Sequence, residues 1–151
     1  MQNRPVLIFD FDGVLAQPWS HPEKPYAQVI DIIKALSPTH HICLASFNPR
    51  AKLAVKQWGL QDHFSAMRYG AIHEWREFYH ETYRSNLTKS NQIAHMLHQI
   101  GLPKDHPVYF FDDDPINIEE VTNILPHVCV FTVDEKTGLQ AKDIPSFVLP
   151  N

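Results

Sequence analysis

The sequence predicts a three-layer α/β domain, a doubly wound, Rossmann-like parallel sheet with helices on both faces. Three observations predict it. Short apolar runs alternate with longer segments whose apolar residues recur at helical spacing. The first run, Pro5 to Asp10, is apolar almost throughout, as in a central strand buried on both faces. Acids, a serine and a lysine fall where these runs end or a helix starts, and an open α/β sheet binds its ligands beyond the carboxyl ends of its strands. The 151 residues suit one compact domain spanning residues 1–151.

After the first strand, residues 14–24 read as an irregular loop or a tight hairpin, with Pro18, Pro22 and Pro25 as punctuation. A helix follows from about Tyr26 to Leu36, because Val29, Ile32, Ile33 and Leu36 share one face; Pro38 ends it. The second strand is His41 to Ser46. Pro49 suits the first turn of a helix over Arg50 to Trp58, which Gly59 stops. A short third strand is placed at Ser65 to Tyr69. Residues 73–84 read as a helix with Trp75, Phe78, Tyr79 and Tyr83 on one side, as core packing or as a small lid. The next helix runs from Lys89 to Ile100 on the face Ile93, Met96, Leu97 and Ile100, closed by Gly101 and Pro103. A strand over Pro107 to Phe111 feeds the acidic run Asp112-Asp113-Asp114. A helix from Pro115 to Leu125 and a strand over Val128 to Val133 complete the alternation, and the tail after Gly138 reads as loop and surface packing.

Composition narrows the function. Apolar residues make up 44% and charged residues 20%, an ordinary globular balance. A formal net charge of −4 gives no electrostatic footprint for nucleic acid or an anionic membrane. Neither a signal peptide nor an apolar run of ~20 residues is evident, so a cytoplasmic protein is expected. The two cysteines, Cys43 and Cys129, sit in apolar runs without CxxC spacing and read as buried free thiols. His95 and His98 are three apart on a helix, but no third soft ligand accompanies them.

The chemistry lies in Asp10-Phe11-Asp12-Gly13, Ser46-Phe47-Asn48, Lys89 and Asp112-Asp113. Asp10 and Asp12 alternate around Phe11, so in extended chain they point to one side. Two carboxylates 4 Å apart repel by about 4 kcal/mol at an effective dielectric of 20. Such a cluster persists when some acids are protonated or a cation sits among them, and all-oxygen ligation suits Mg²⁺. A carboxylate can attack phosphorus, a second can protonate the leaving oxygen and then activate water, and a lysine can offset charge on the transferring group. A serine hydroxyl and N–H groups around Gly13 can hold phosphoryl oxygens. Each feature alone has an ordinary explanation as a turn, a helix cap or a surface lysine; their conjunction at strand ends and helix starts is what points to a site.

In this order the residues resemble the motifs of the haloacid dehalogenase-like superfamily. FDFDGVL is similar to its first motif, LAS to its second, TKSNQI to its third and FFDDDPINIEEV to the paired-acid type of its fourth. The resemblance implies Asp10 as nucleophile, Asp12 as general acid/base, Ser46 and Lys89 as phosphoryl-stabilising groups, and Mg²⁺ as cofactor. The ion would be held by Asp10, the Asp12 carbonyl and Asp113, with Asp112 through water; Asn117 would support the loop. Asp12 argues against the dehalogenase branch, which lacks it. Too little chain separates the motifs for a cap domain, so the likeness is to the compact, capless, magnesium-dependent phosphatases. Phe47 and Asn48 depart from that group, which tends to have a basic residue and a hydroxyl there. Phe11, Gly13, Phe47, Asn48, Trp19 and His21 are the substrate-binding candidates.

The expected function is a phosphomonoesterase with an open site for a phosphoprotein or a small phosphoester. Phosphotransfer would use the same residues. A non-catalytic phosphate-binding or protein-interaction module on the same scaffold is the alternative from another class. A receiver-type signalling domain also gathers acids and a lysine, but in a different chain order.

Overall fold

The computed structural model describes residues 4–70, 88–103, 105–146 and 148. Five parallel strands, β1 (Val6–Phe9), β2 (His41–Ser46), β3 (Ala66–Tyr69), β4 (Val108–Asp112) and β5 (Cys129–Thr132), form one sheet in the order β3-β2-β1-β4-β5. The chain therefore winds outward from β1 to β3, returns, and winds the other way through β4 and β5. The reversal opens a crevice at the carboxyl ends of β1 and β4. Register aligns those ends, with Phe9 opposite Phe111 and the Asp10 N–H bonded to the Phe111 carbonyl at 2.9 Å. This strand order also differs from the β2-β1-β3-β4-β5 order of receiver domains, which removes that reading.

Side-chain alternation along β1 divides the core into two layers. Leu7 and Phe9 face helices α1 (Val29–Leu36) and α2 (Ala51–Gln57), where Ile33, Leu36, Ala54 and Val55 are buried with them. Val6 and Ile8 face α3 (Lys89–Ile100) and α4 (Pro115–Ile124), against Ile93, Met96 and Val121. Both layers are closed packing, so β1 is covered on both sides as its apolar run implies. Phe111 lies between Phe9 and Phe131, at ring-centroid distances of 5.0 and 5.2 Å, and such pairs add about 0.5–1.5 kcal/mol each beyond burial.

Local signals end the helices. Thr88 accepts the Asn91 N–H at the start of α3, and Gly101, at φ +81°, supplies the left-handed residue that terminates it. Asp114 caps α4 by accepting the Ile116 N–H, with Pro115 in the first turn. Several boundaries differ from those the sequence predicts. Helix α1 begins at Val29, because Tyr26 turns away to donate its hydroxyl to the Glu135 carbonyl. Cys129 is exposed, not buried: β5 is an edge strand with half-open faces, while Cys43 in β2 is buried. The tail contributes to the core, with Leu139, Ile144 and Val148 buried and the Val148 carbonyl 2.8 Å from His40 Nε2. The helix expected over 73–84 lies outside the described residues. Among the described residues, no helix is long and apolar enough to cross a membrane.

Candidate active site

Beyond β1 the chain must turn sharply while keeping Asp10 and Asp12 in place. Phe11 does this from behind. Its ring is fully buried and stacked on Trp58 at 5.4 Å and 14°. Its carbonyl accepts the N–H groups of Leu15 and Ala16. The Phe11 side chain is therefore an anchor, which corrects its reading as a substrate contact.

Gly13 is corrected in part. Its N–H is bonded to the Ala16 carbonyl at 2.9 Å, so that N–H is committed to the turn. Its contribution is space. At φ +82° it adopts a conformation costly for other residues, and a Cβ there would lie 2.3 Å from Asp113 Oδ2. Only glycine lets the Asp113 carboxyl lie against this turn.

Oxygens of Asp10, Asp112 and Asp113 lie within 4.8 Å of one another. Lys89 enters this group from the first turn of α3. It is 1% exposed, and its Nζ donates to Asp10 Oδ1 and to the Ala45 carbonyl, both at 2.6 Å, with Asp112 Oδ2 at 3.8 Å. The ordinary reading of Lys89 as a solvated lysine does not hold. Phe47 covers it, with the ammonium 4.7 Å from the ring centroid. Asp112 is fully buried. One of its oxygens accepts the Asp114 N–H at 2.8 Å, and the other accepts from Asn117 Nδ2 at 3.1 Å.

One lysine among three carboxylates leaves the cluster short of positive charge. Burial, then the charge of Asp10, pushes the Asp112 carboxyl up to about 8 against the opposing pull of Lys89. Burial and the adjoining Asp10 carboxyl push Asp113 up to about 6. Near neutrality and without a cation Asp112 therefore keeps a proton, while Asp113 gives up its own just below that range. That deficit and the all-oxygen donor set fit a hard divalent ion such as Mg²⁺.

Asp12 stands apart, exposed at the mouth, where its Oδ2 accepts from Asn48 Nδ2 at 3.1 Å. Burial of its carboxyl raises its pKa, the Asn48 hydrogen bond opposes this, and Asp10 and Glu23 add to the rise. Asn48 therefore touches Asp12 directly. Ser46 is 1% exposed; its Oγ accepts the Asn48 N–H at 3.0 Å, and its carbonyl accepts Gln92 Nε2 at 2.7 Å. The structure thus assembles Asp10, Asp12, Ser46, Phe47, Asn48, Lys89, Asp112 and Asp113 around one crevice.

Trp19 and His21 sit beside it, on a loop that proves to be the tight hairpin alternative. Gln17 N–H bonds the Lys24 carbonyl at 2.8 Å, and Ala16 bridges Pro25. A cavity of about 270 Å³ lies between this loop, Asp12 and Asn48. Its outer wall depends on residues the sequence did not single out. Glu23 is buried and paired with Arg50 Nε at 2.5 Å, which holds its carboxyl below the usual range, and the Trp58 indole N–H donates to the Glu23 carbonyl at 3.1 Å. On the opposite side, Glu120 of α4 accepts the Ser90 N–H at 2.9 Å and the Ser90 hydroxyl, fixing the turn that carries Lys89.

No protein-family model matches the sequence, and no curated protein matches it. Solved structures do match in fold. A haloacid dehalogenase-like family hydrolase from Streptococcus pneumoniae superposes with a TM-score of 0.68 at 11% identity, covering 97% of this chain and 93% of that one. The N-terminal part of a Bacteroides fragilis protein containing a phosphatase domain, complexed with Mg, gives 0.66 at 17% identity, over 94% of this chain and 39% of that one. A Geobacter sulfurreducens hydrolase of the same superfamily, subfamily IA, gives 0.60 at 8%, over 85% and 89%. The chain thus has the fold of these solved haloacid dehalogenase-like hydrolases.

Proposed function

We propose that the protein is a Mg²⁺-dependent phosphomonoesterase that works through an aspartyl-phosphate on Asp10. The observation that carries this is the ion pair of Lys89 with Asp10, 1% exposed on the lysine side and set within a carboxylate cluster at the sheet's switch point. A lysine buried for packing alone would face a steep desolvation cost; here it orients a carboxylate and supplies positive charge where a phosphoryl group would arrive.

Lys89 holds one Asp10 oxygen, leaving the other to attack phosphorus. As that O–P bond forms, the bond from phosphorus to the ester oxygen breaks. The leaving oxygen takes a proton from Asp12, whose raised pKa suits a carboxyl that carries one. Asp12, now a carboxylate, takes a proton from water as the water oxygen attacks the phosphorus of the aspartyl-phosphate, releasing inorganic phosphate and regenerating Asp10. Asn48 holds Asp12 in place through both half-reactions. Ser46 braces the turn that presents Asn48. Asp10, Asp113 and the Asp12 carbonyl would hold Mg²⁺, with Asp112 behind them through water, and the ion would offset charge on the phosphoryl oxygens. The Bacteroides fragilis phosphatase domain of the same fold is complexed with Mg, which supports that choice.

Hydrolysis of a generic aryl phosphate by wild type and by Asp10→Asn, with and without Mg²⁺, tests the proposal. Turnover should require Mg²⁺ and disappear in Asp10→Asn, which keeps the shape and removes the nucleophilic charge. Turnover that survives the substitution would remove Asp10 as nucleophile. Mg²⁺ binding with no turnover over a broad phosphoester panel would favour a phosphate-binding module instead.

A further inference from the structure

A cavity lies beside Asp12, the proposed proton donor to the leaving group. Asp12 and Asn48 form its inner wall, and Trp19 and His21 its rim. Trp19 is 94% exposed and sits at φ +63°, a conformation bulky side chains rarely adopt. Slackness does not explain this exposure. Ser20 Oγ donates to the Gln17 carbonyl at 2.7 Å and accepts the Lys24 N–H at 3.0 Å. The base of the hairpin is closed by Gln17 and Lys24, and Glu23 is clamped by Arg50 and Trp58. The loop is pinned on both sides, yet it presents its largest apolar surface to solvent at the edge of a cavity.

We propose that this cavity binds the leaving group of the phosphomonoester and selects one bearing a flat ring, stacked on Trp19. The proposal rests on the phosphatase reading and adds a substrate class to it. The inner position follows from Asp12: an ester oxygen within reach of its proton directs the rest of the leaving group into the cavity. Ring stacking follows from the exposed, pinned indole. Size points the same way. At about 270 Å³ the cavity falls below the ~300–1,000 Å³ of sites for drug-sized ligands, and it suits a single ring system.

The test compares benzyl and n-propyl phosphates, both alkyl-type esters of similar intrinsic reactivity, with the Mg²⁺-loaded protein. Wild type should prefer benzyl over propyl by about tenfold in kcat/KM, the scale of one good ring stack. Trp19→Ala should bring the benzyl-to-propyl ratio close to one, and Trp19→Phe should restore part of it. Binding of benzylphosphonate and propylphosphonate, by calorimetry, should show the same preference and its loss in Trp19→Ala. A ratio near one in wild type, or one unchanged by Trp19→Ala, would overturn the proposal and leave the phosphatase reading standing. No turnover of any ester, together with a phosphonate preference that depends on Trp19, would uphold the pocket and overturn the phosphatase reading.

Discussion

Lys89→Met tests whether charge, and not packing, holds the crevice together. Methionine keeps much of the stem and removes the ammonium. In the native protein that ammonium is 2.6 Å from Asp10 Oδ1 and 3.8 Å from Asp112 Oδ2, and is 1% exposed. At an effective dielectric of 20 a pair of unit charges near 4 Å is worth about 4 kcal/mol. Measured losses on breaking buried pairs run to about 3–5 kcal/mol, because the remaining charge stays desolvated. Since a kcal/mol shifts melting by ~2–4 °C in a chain of this size, a fall of about 10 °C is expected at pH 8 without metal. The loss should be smaller at pH 5, where the raised Asp112 and Asp113 carboxyls are protonated in both proteins and less negative charge needs a partner. Thermal melts of wild type and variant in EDTA at the two pH values measure this. Equal losses at both would refute the electrostatic account and leave only packing of the lysine stem.

Gly13→Ala should reduce Mg²⁺ affinity at least tenfold while costing only about 1–2 kcal/mol of metal-free stability, since its Cβ displaces the Asp113 carboxyl and the positive φ strains the turn. Calorimetric Mg²⁺ titration alongside a denaturant melt separates the two effects, and wild-type affinity would count against Asp113 as a ligand. For the metal-free protein the pH dependence has a definite sign. The folded-state pKa values of Asp113 and Asp112 are raised to about 6 and about 8, so their contribution to stability is complete below the unfolded carboxyl range and is lost as pH rises through those values. Melting temperature in EDTA should therefore fall between pH 7 and 8.5, a window above the lowered His41 titration, and saturating Mg²⁺ should flatten that slope; a rise in EDTA would contradict the assignment. Asn48→Ala should slow hydrolysis of alkyl phosphates more than of nitrophenyl phosphate, by roughly tenfold in the ratio, because only the poorer leaving group needs the proton that Asn48 helps Asp12 deliver. Equal slowing of both esters would assign Asn48 to general scaffolding.

The parts of this architecture that rest on local pattern are legible in the sequence. Continuous apolar runs locate the strands. The burial of Phe11 is masked in the sequence by the two acids that flank it. Lys89 has no local signal: a lysine at a helix start looks the same whether it meets solvent or Asp10, and only the packing of α3 on the sheet decides. Glu23 with Arg50 and Glu120 with Ser90 are long-range polar pairs, which periodicity does not encode. Cys129 shows the limit for strands, since an apolar run does not tell an edge from a centre. Leu139, Ile144 and Val148 enter the core without regular spacing, so the tail offers no period to read.

The hairpin beyond Asp12 has a consequence for how this scaffold can diversify. Its base is fastened by Gln17 and Lys24, and Trp58 braces both the loop, through the Glu23 carbonyl, and the turn below it, through Phe11. Chain added at the tip, between Trp19 and His21, would therefore lengthen a loop whose ends are already joined, and each doubling of such a loop costs only about 0.6 kcal/mol. The tip of the entrance can thus be rebuilt, from an open ledge to a full cover, on ends that the fold already holds together.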